Sequence, residues 1–262
     1  MFSTHSLSIG YLRKGETFAI QRDLNLQLNL GELVCLAGPN GSGKSTLLRT
    51  LSGLQPPLFG RVQIDGEDIF ALSVRQKALQ LAMVLTERVD IENTTVAQTV
   101  AMGRQPYTSW WGIIAKNDEK KINDALQLVH LQEFKNRFIN ELSDGERQRV
   151  MIARALAQDT PHIFLDEPTA HLDLPNRIEI MLLLRRLAHK TKKAILLSTH
   201  ELDIALQVAD CIWLLSSDLP VQIGSPAALI ANGTFERVFD SINYSFNTNN
   251  EYFIKLKNLE SV

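Results

Sequence analysis

Residues Gly38 to Ser45 read G-P-N-G-S-G-K-S, a complete match to the phosphate-cradling pattern G-x-x-x-x-G-K-[ST]. Gly38, Gly41 and Gly43 let the backbone approach a phosphate chain, so that N–H groups and a helix N-terminus face negative charge. Lys44 is the group expected to reach the β- and γ-phosphates, and Ser45 the one expected to ligate Mg²⁺. The whole cradle runs through Gly38, Pro39, Asn40, Gly41, Ser42, Gly43, Lys44, Ser45 and Thr46. The apolar run Leu33–Ala37 before it and Thr46–Leu51 after it read as strand and helix, the context this chemistry needs. A nucleoside triphosphate is the expected ligand.

A second cluster is the carboxylate pair Asp166-Glu167, delivered by the apolar run His162–Leu165. Strand ends of this kind carry ligand sites in α/β sheets. Asp166 suits the surroundings of Mg²⁺, holding the ion through water, and Glu167 is placed to polarise an attacking water as a general base. An acidic pair at a strand end is otherwise a solvated turn; the phosphate loop in the same chain is what favours catalysis.

A third cluster, Leu142-Ser143-Asp144-Gly145-Glu146-Arg147-Gln148, precedes the helical pattern Arg149–Ala157. Ser143 and Gly145 stand at a helix start, where free N–H groups meet an anion. Ser143 and Glu146 also fit a capping box, and taken alone that reading is the stronger one.

These clusters, in this order, resemble the motifs of the ATP-binding-cassette (ABC) ATPases, whose signature motif usually reads L-S-G-G-Q. The resemblance runs along nearly the whole chain. It makes Tyr11 the aromatic that stacks on adenine, Ala170-His171-Leu172-Asp173 the loop after the acidic pair, and His200 the histidine that contacts the γ-phosphate. It implies ATP and Mg²⁺ as cofactors and two copies meeting head to tail. ATP then lies between the phosphate loop of one copy and Ser143 and Gly145 of the other, with Asp173 at the same interface. Glu167, His200 and Lys44 become the catalytic residues, and Ser45, Asp166 and Thr86 the metal-side residues. Thr86 departs from the family, because it stands where a glutamine is usual; the neighbouring Glu87 is an alternative substitute. Asp144 and Glu146 depart too, adding negative charge beside a phosphate.

The elements that must position these residues follow from periodicity. Leu7–Tyr11 and Leu24–Leu30 read as strands of an antiparallel edge sheet, and Gly60–Gly66 as another short strand ended by a turn. Thr95 to Gln158 is helical in pattern, including Asp118–Val129. His162–Leu165, Ala194–Ser198 and Cys211–Leu215 read as buried parallel strands, with Arg177–Ala188 and Glu201–Ala209 as crossover helices. The expected fold is an α/β P-loop core with a mainly parallel sheet, an N-terminal antiparallel β subdomain and an inserted helical subdomain at about 87–157, all within one ABC ATPase domain. Gly224–Leu229 resembles the family's turn and short helix after the last core strand, and Phe239 to Leu256 reads as a hairpin with an asparagine-rich turn at Asn247 to Asn250.

Composition narrows the partners. The 262 residues carry a net charge of −2, which argues against general nucleic-acid affinity. Cys35 and Cys211 read as core thiols in a reducing compartment. The sequence shows no signal pattern and no apolar run of about 18 or more residues. Met102-Gly103-Arg104-Gln105-Pro106-Tyr107 resembles the G-R-x-P-[YH] segment of importers for iron–siderophore, haem and vitamin B12; the neighbouring Trp110-Trp111 pair is of a kind more often found in a core, while one exposed aromatic there suits an anchor for a membrane subunit. The expectation is therefore the ATPase subunit of an importer, at the cytoplasmic face of the inner membrane, working with a polytopic permease and indirectly a substrate-binding protein. A single-cassette soluble ATPase of the iron–sulfur assembly type is the alternative.

Overall fold

Each of the apolar runs that read as buried strands divides its side chains between two cores. In a computed structural model describing residues 1–13, 15–86, 93–108, 115–239, 244–247 and 253–256, β4 (Leu33–Ala37) turns Leu33, Cys35 and Ala37 to one apolar cluster and Val34 and Leu36 to another. β8 (His162–Leu165), β9 (Ala194–Ser198) and β10 (Cys211–Leu214) divide in the same way. Side chains alternate across a sheet, so a continuous apolar run is what a strand covered on both faces requires.

These strands lie in a six-stranded sheet of order β11-β10-β4-β9-β8-β7, where β7 is Leu81–Val84 and β11 is Gln222–Gly224. All neighbours are parallel except β10 and β11. One face carries α5 (Asp144–Ala157), α6 (Leu174–Thr191) and α7 (Leu202–Val208), with α3 (Val96–Ala101) and α4 (Lys116–Leu128) packed beyond on α5. The other face carries α1 (Lys44–Leu51) and an antiparallel sheet of β1 (Phe2–Arg13), β2 (Glu16–Leu24), β3 (Gln27–Leu28), β5 (Phe59–Ile64) and β6 (Glu67–Asp68). Phe2 of β1 meets the Phe164 ring edge-on at 5.3 Å, joining the two sheets.

Capping chemistry sets the helix starts. Ser73 with Gln76 opens α2 (Val74–Gln80), Thr95 with Gln98 opens α3, and Ser143 with Glu146 opens α5, each as a reciprocal box. Asp173 caps α6, with a proline in its first turn. After β11 come α8 (Pro226–Ala231) and α9 (Thr234–Phe239), then the antiparallel pair β12 (Tyr244–Asn247) and β13 (Phe253–Leu256). The hairpin expectation holds there; its asparagine turn beyond Asn247 lies outside the described residues.

Two expectations need correction. Leu24–Leu30 is not one strand: Leu24 ends β2, only Gln27–Leu28 pairs again, and Leu30 is exposed. The chain turns at Asp23, at φ +51°, and the Thr4 hydroxyl serves the ladder instead, donating to the Leu24 carbonyl and accepting the Leu26 N–H, both at 2.8 Å. Cys35 is fully buried, and burial pushes its thiol pKa up. Cys211, the first residue of its strand, is only partly buried and packs at the edge of the second apolar cluster rather than within it.

Candidate active site

The C-terminal ends of β4, β7, β8 and β9 bring the phosphate loop, Thr86, Asp166, Glu167 and His200 to one edge of the sheet. The phosphate loop leaves β4 at Gly38, whose φ of +146° and whose 2.4 Å clearance between a hypothetical Cβ and the Leu215 carbonyl oxygen require glycine. Ser42 N–H closes the turn on the Pro39 carbonyl at 3.2 Å. From the neighbouring sheet, Gln21 Nε2 donates to the carbonyls of Ser42 at 3.0 Å and Ser216 at 2.6 Å, fixing the loop from behind.

Lys44 Nζ lies over this loop, donating to the carbonyls of Gly38 at 2.8 Å and Pro39 at 3.2 Å. Burial holds its ammonium below the ordinary lysine range, while the carboxylates of Glu167 and Asp166 oppose that shift. Ser42 Oγ is buried with no hydrogen-bond partner among the described residues. A buried hydroxyl without a partner and a desolvated ammonium are what a loop shaped for phosphate oxygens presents. Tyr11 OH and Thr46 Oγ1 are 2.7 Å apart, tying the half-exposed ring to the start of α1 beside an open groove of about 430 Å³ lined by Tyr11, Leu12, Arg13 and Phe18.

Asp166 stands at the end of β8. Its Oδ1 accepts from Ser45 Oγ at 3.2 Å and Ser198 Oγ at 2.7 Å. Among the described residues no three His, Cys, Asp or Glu side chains converge as a metal cage. The Ser45 hydroxyl and the Asp166 carboxylate, 3.2 Å apart, are hard oxygen donors of the kind Mg²⁺ takes. Thr86, at the end of β7, donates its hydroxyl to the Asp166 backbone carbonyl at 2.8 Å. It steadies Asp166, with its proton committed to that bond. Glu87 lies outside the described residues.

Glu167 takes a left-handed backbone, φ +47°, unusual for a residue with a side chain. Its N–H is held by Ser198 Oγ at 2.9 Å, and His200 Nε2 meets its Oε1 at 2.6 Å. The general-base candidate and the histidine candidate are thus in direct contact.

Ser143, Gly145 and Asp173 form a second group, at the starts of α5 and α6. Asn176 joins them: its Nδ2 donates to Asp173 Oδ1 at 2.6 Å, and its Oδ1 lies 2.7 Å from where a Cβ on Gly145 would stand. The charges that depart from the usual signature are partnered. Asp144 pairs with Arg147 at 2.7 Å, and Glu146 accepts the Ser143 N–H at 2.8 Å, which holds its carboxyl below the ordinary range. In the Met102–Tyr107 segment, Arg104 is buried, paired with Asp118 at 2.9 Å and lying against the Tyr107 ring. Trp110 and Trp111 lie outside the described residues. Sequence reasoning missed Ser198, Gln21 and Asn176; only Ser198 had a local signal, a hydroxyl residue ending an apolar strand two positions before His200.

Residues 21–170 match the family model described as ABC transporter, which is more than half of the chain. The chain belongs to the ABC transporter family. This ABC ATPase is 38% identical over 258 residues to an uncharacterised ABC transporter ATP-binding protein of Methanocaldococcus jannaschii, covering 98% of this chain and 87% of that one. It is 37% identical to the achromobactin transport ATP-binding protein CbrD of Dickeya dadantii, over 91% of this chain and 87% of the relative. It is 36% identical to the cobalamin import ATP-binding protein BtuD of Halobacterium salinarum, over 84% of this chain and 54% of that longer relative. Among solved structures, a chain of an inward-facing ABC transporter assigned to the metal-chelate type superposes with a TM-score of 0.77 at 27% identity, covering 91% of this chain and 88% of that one. A dimeric ATP-binding cassette in a post-hydrolysis state with ADP and Pi superposes at 0.73 with 28% identity, over 86% and 99%. The fold, the ATP-binding role and the ATPase class agree with the expectations set by the sequence.

Proposed function

We propose that this ABC ATPase is the energy-supplying subunit of a membrane importer, taking up an iron chelate (siderophore or haem) or a cobalamin-type compound. The single observation that carries the chemistry is the 2.6 Å contact between His200 and Glu167, next to an Asp166 that shares Oδ1 with Ser45 of the phosphate loop. Relatives named for achromobactin transport and cobalamin import support the substrate class, together with the G-R-Q-P-Y segment.

In this reading Lys44 and the N–H groups of the loop bind the β- and γ-phosphates, and Tyr11 lies against the base. Ser45 would ligate Mg²⁺ and Asp166 would hold it through water, the ion's charge offsetting that of the phosphates; Thr86 would support that site through the Asp166 backbone carbonyl. Glu167 accepts a proton from the water that attacks the γ-phosphorus, and ADP leaves. His200 holds the Glu167 carboxylate toward that water. Ser143 and Gly145 of a second copy close on the γ-phosphate, with Asp173 at the seam, so that water is excluded when two copies meet head to tail. The dimeric cassette among the structural relatives supports that arrangement.

Among the described residues no helix is long and apolar enough to cross a membrane. We place this subunit at the cytoplasmic face of the inner membrane, held there by a permease, which a substrate-binding protein serves from the other side. The reading as a soluble iron–sulfur assembly ATPase gains nothing from relatives named for transport and import. The test is mass spectrometry of proteins that co-purify with the tagged chain from detergent-solubilised membranes of its native host. Recovery of a polytopic permease is expected; recovery of iron–sulfur assembly proteins alone would overturn the importer reading.

A further inference from the structure

Arg177, in the first turn of α6, reaches two loops at once. Its Nε donates to the Leu172 carbonyl at 2.6 Å and its Nη1 donates to Glu201 Oε1 at 2.7 Å. Leu172 immediately precedes Asp173, and Glu201 immediately follows His200. Both members of the ion pair are half-buried, a setting in which a directed guanidinium bond is screened less than at an open surface.

Glu201 is the other end of that ion pair. It occupies the N-cap position of α7 and makes no cap bond. Its carboxylate is directed to Arg177 instead, while its own N–H donates to Thr199 Oγ1 at 2.9 Å. Side-chain bonds that hold the turn carrying His200 include Thr199 with Glu201, His200 with Glu167, and Glu201 with Arg177, beside the Thr199 N–H on the Leu36 carbonyl. Of these bonds, among the described residues, the one from Arg177 leads to the loop of Asp173. A fork with donors on two nitrogens meets both partners; a lysine, a single point charge, does not reproduce that.

We propose that Arg177 is a positioning residue for ATP hydrolysis, clamping the His200 turn to the Asp173 loop so that His200 stays on the Glu167 carboxylate. This rests on the reading of Glu167 and His200 as the hydrolytic pair. Neither bond of the clamp touches the phosphate loop, so ATP binding and catalysis separate in the test.

The experiment is steady-state ATP turnover, KM for ATP and thermal melting of the purified chain and of Arg177→Met, Arg177→Lys, Glu201→Gln and the Met/Gln double variant. With the clamp broken, kcat falls roughly tenfold in Arg177→Met, a modest share of what misplacing a catalytic group costs. KM stays within about twofold, because the lost interaction acts after ATP is bound. Glu201→Gln loses a similar factor, the double variant loses no more than the worse single one, and Arg177→Lys recovers part of the rate. Unchanged kcat, multiplying losses in the double variant, or a fall in melting temperature with a parallel rise in KM would each overturn the clamp. A wild-type chain no more active than Glu167→Gln would instead overturn the hydrolytic pair, and the clamp with it.

Discussion

Ser198 Oγ donates to Asp166 Oδ1 at 2.7 Å and accepts the N–H of Glu167 at 2.9 Å. One hydroxyl at the end of β9 thus orients the Asp166 carboxylate and fixes the backbone of Glu167, the proposed general base, whose φ of +47° its neighbours must hold. Ser198→Ala removes both bonds. Turnover is expected to fall about tenfold or more, a loss of ~1.4 kcal/mol or greater in transition-state binding, with ATP affinity changed far less. The check is kcat and Kd measured on the same preparation; a Kd that worsens as much as kcat would contradict it.

Lys44→Ala is expected to weaken ATP binding by about 1.5–3 kcal/mol, the range for a hydrogen bond to a charged group, read by titration calorimetry. Burial lowers the Lys44 pKa in the free chain, and a bound triphosphate favours the charged form. Binding therefore takes up protons as the pH rises toward the free-chain value, and affinity falls above it. Calorimetry in two alkaline buffers of different ionisation enthalpy reads that uptake, and Lys44→Ala should abolish it.

Much of this site was legible in advance, and the reason is local. Gly38–Ser45 encodes its own turn, and the apolar runs encode doubly covered strands because each alternate residue meets a different core. What escaped depends on contacts between distant segments. Gln21 serves Ser42 and Ser216 across the gap between the sheets, and Arg177 joins two loops; neither residue type signals such a role from its neighbours. Leu24–Leu30 alternates as a strand should, but Thr4 and Asp23 decide otherwise. The Ser143 cap and the signature role were competing readings of one feature, and the cap bonds are present in the free chain.

The buried pair Arg104–Asp118 anchors the Met102–Tyr107 segment to α4, and Arg104 Nη1 also donates to the Ala157 carbonyl at 2.7 Å. Arg104→Met leaves Asp118 buried without its cation, costing about 3 kcal/mol in denaturant unfolding. The Arg104 hydrogen bond, then that from the Ala115 N–H, hold the Asp118 carboxyl below its ordinary value. Its contribution is therefore full above the unfolded carboxylate value of about 4 and is lost as pH falls through the lower folded value. Arg104→Met should flatten that acid limb; an unaltered limb would contradict the assignment.

His162 is buried, with Nδ1 3.1 Å from the Gln80 carbonyl oxygen and Nε2 without a partner among the described residues. Burial lowers its pKa, so the folded chain resists a proton that the unfolded chain accepts near pH 6.5. Stability from this group is present above about pH 6.5 and declines as pH falls toward the folded value. His162→Phe should reduce the slope of unfolding free energy between about pH 7 and 5. An unchanged slope would show that other groups govern it.

The central claim is that Glu167 draws the proton from the attacking water in an ATP-closed pair of chains. It is tested most directly by Glu167→Gln, with phosphate release and gel filtration measured on one preparation in ATP and Mg²⁺. The account predicts that release falls by a factor of about 100 or more while an ATP-dependent dimer accumulates. Turnover equal to that of the unaltered chain, or a monomer alone in saturating ATP, would contradict it.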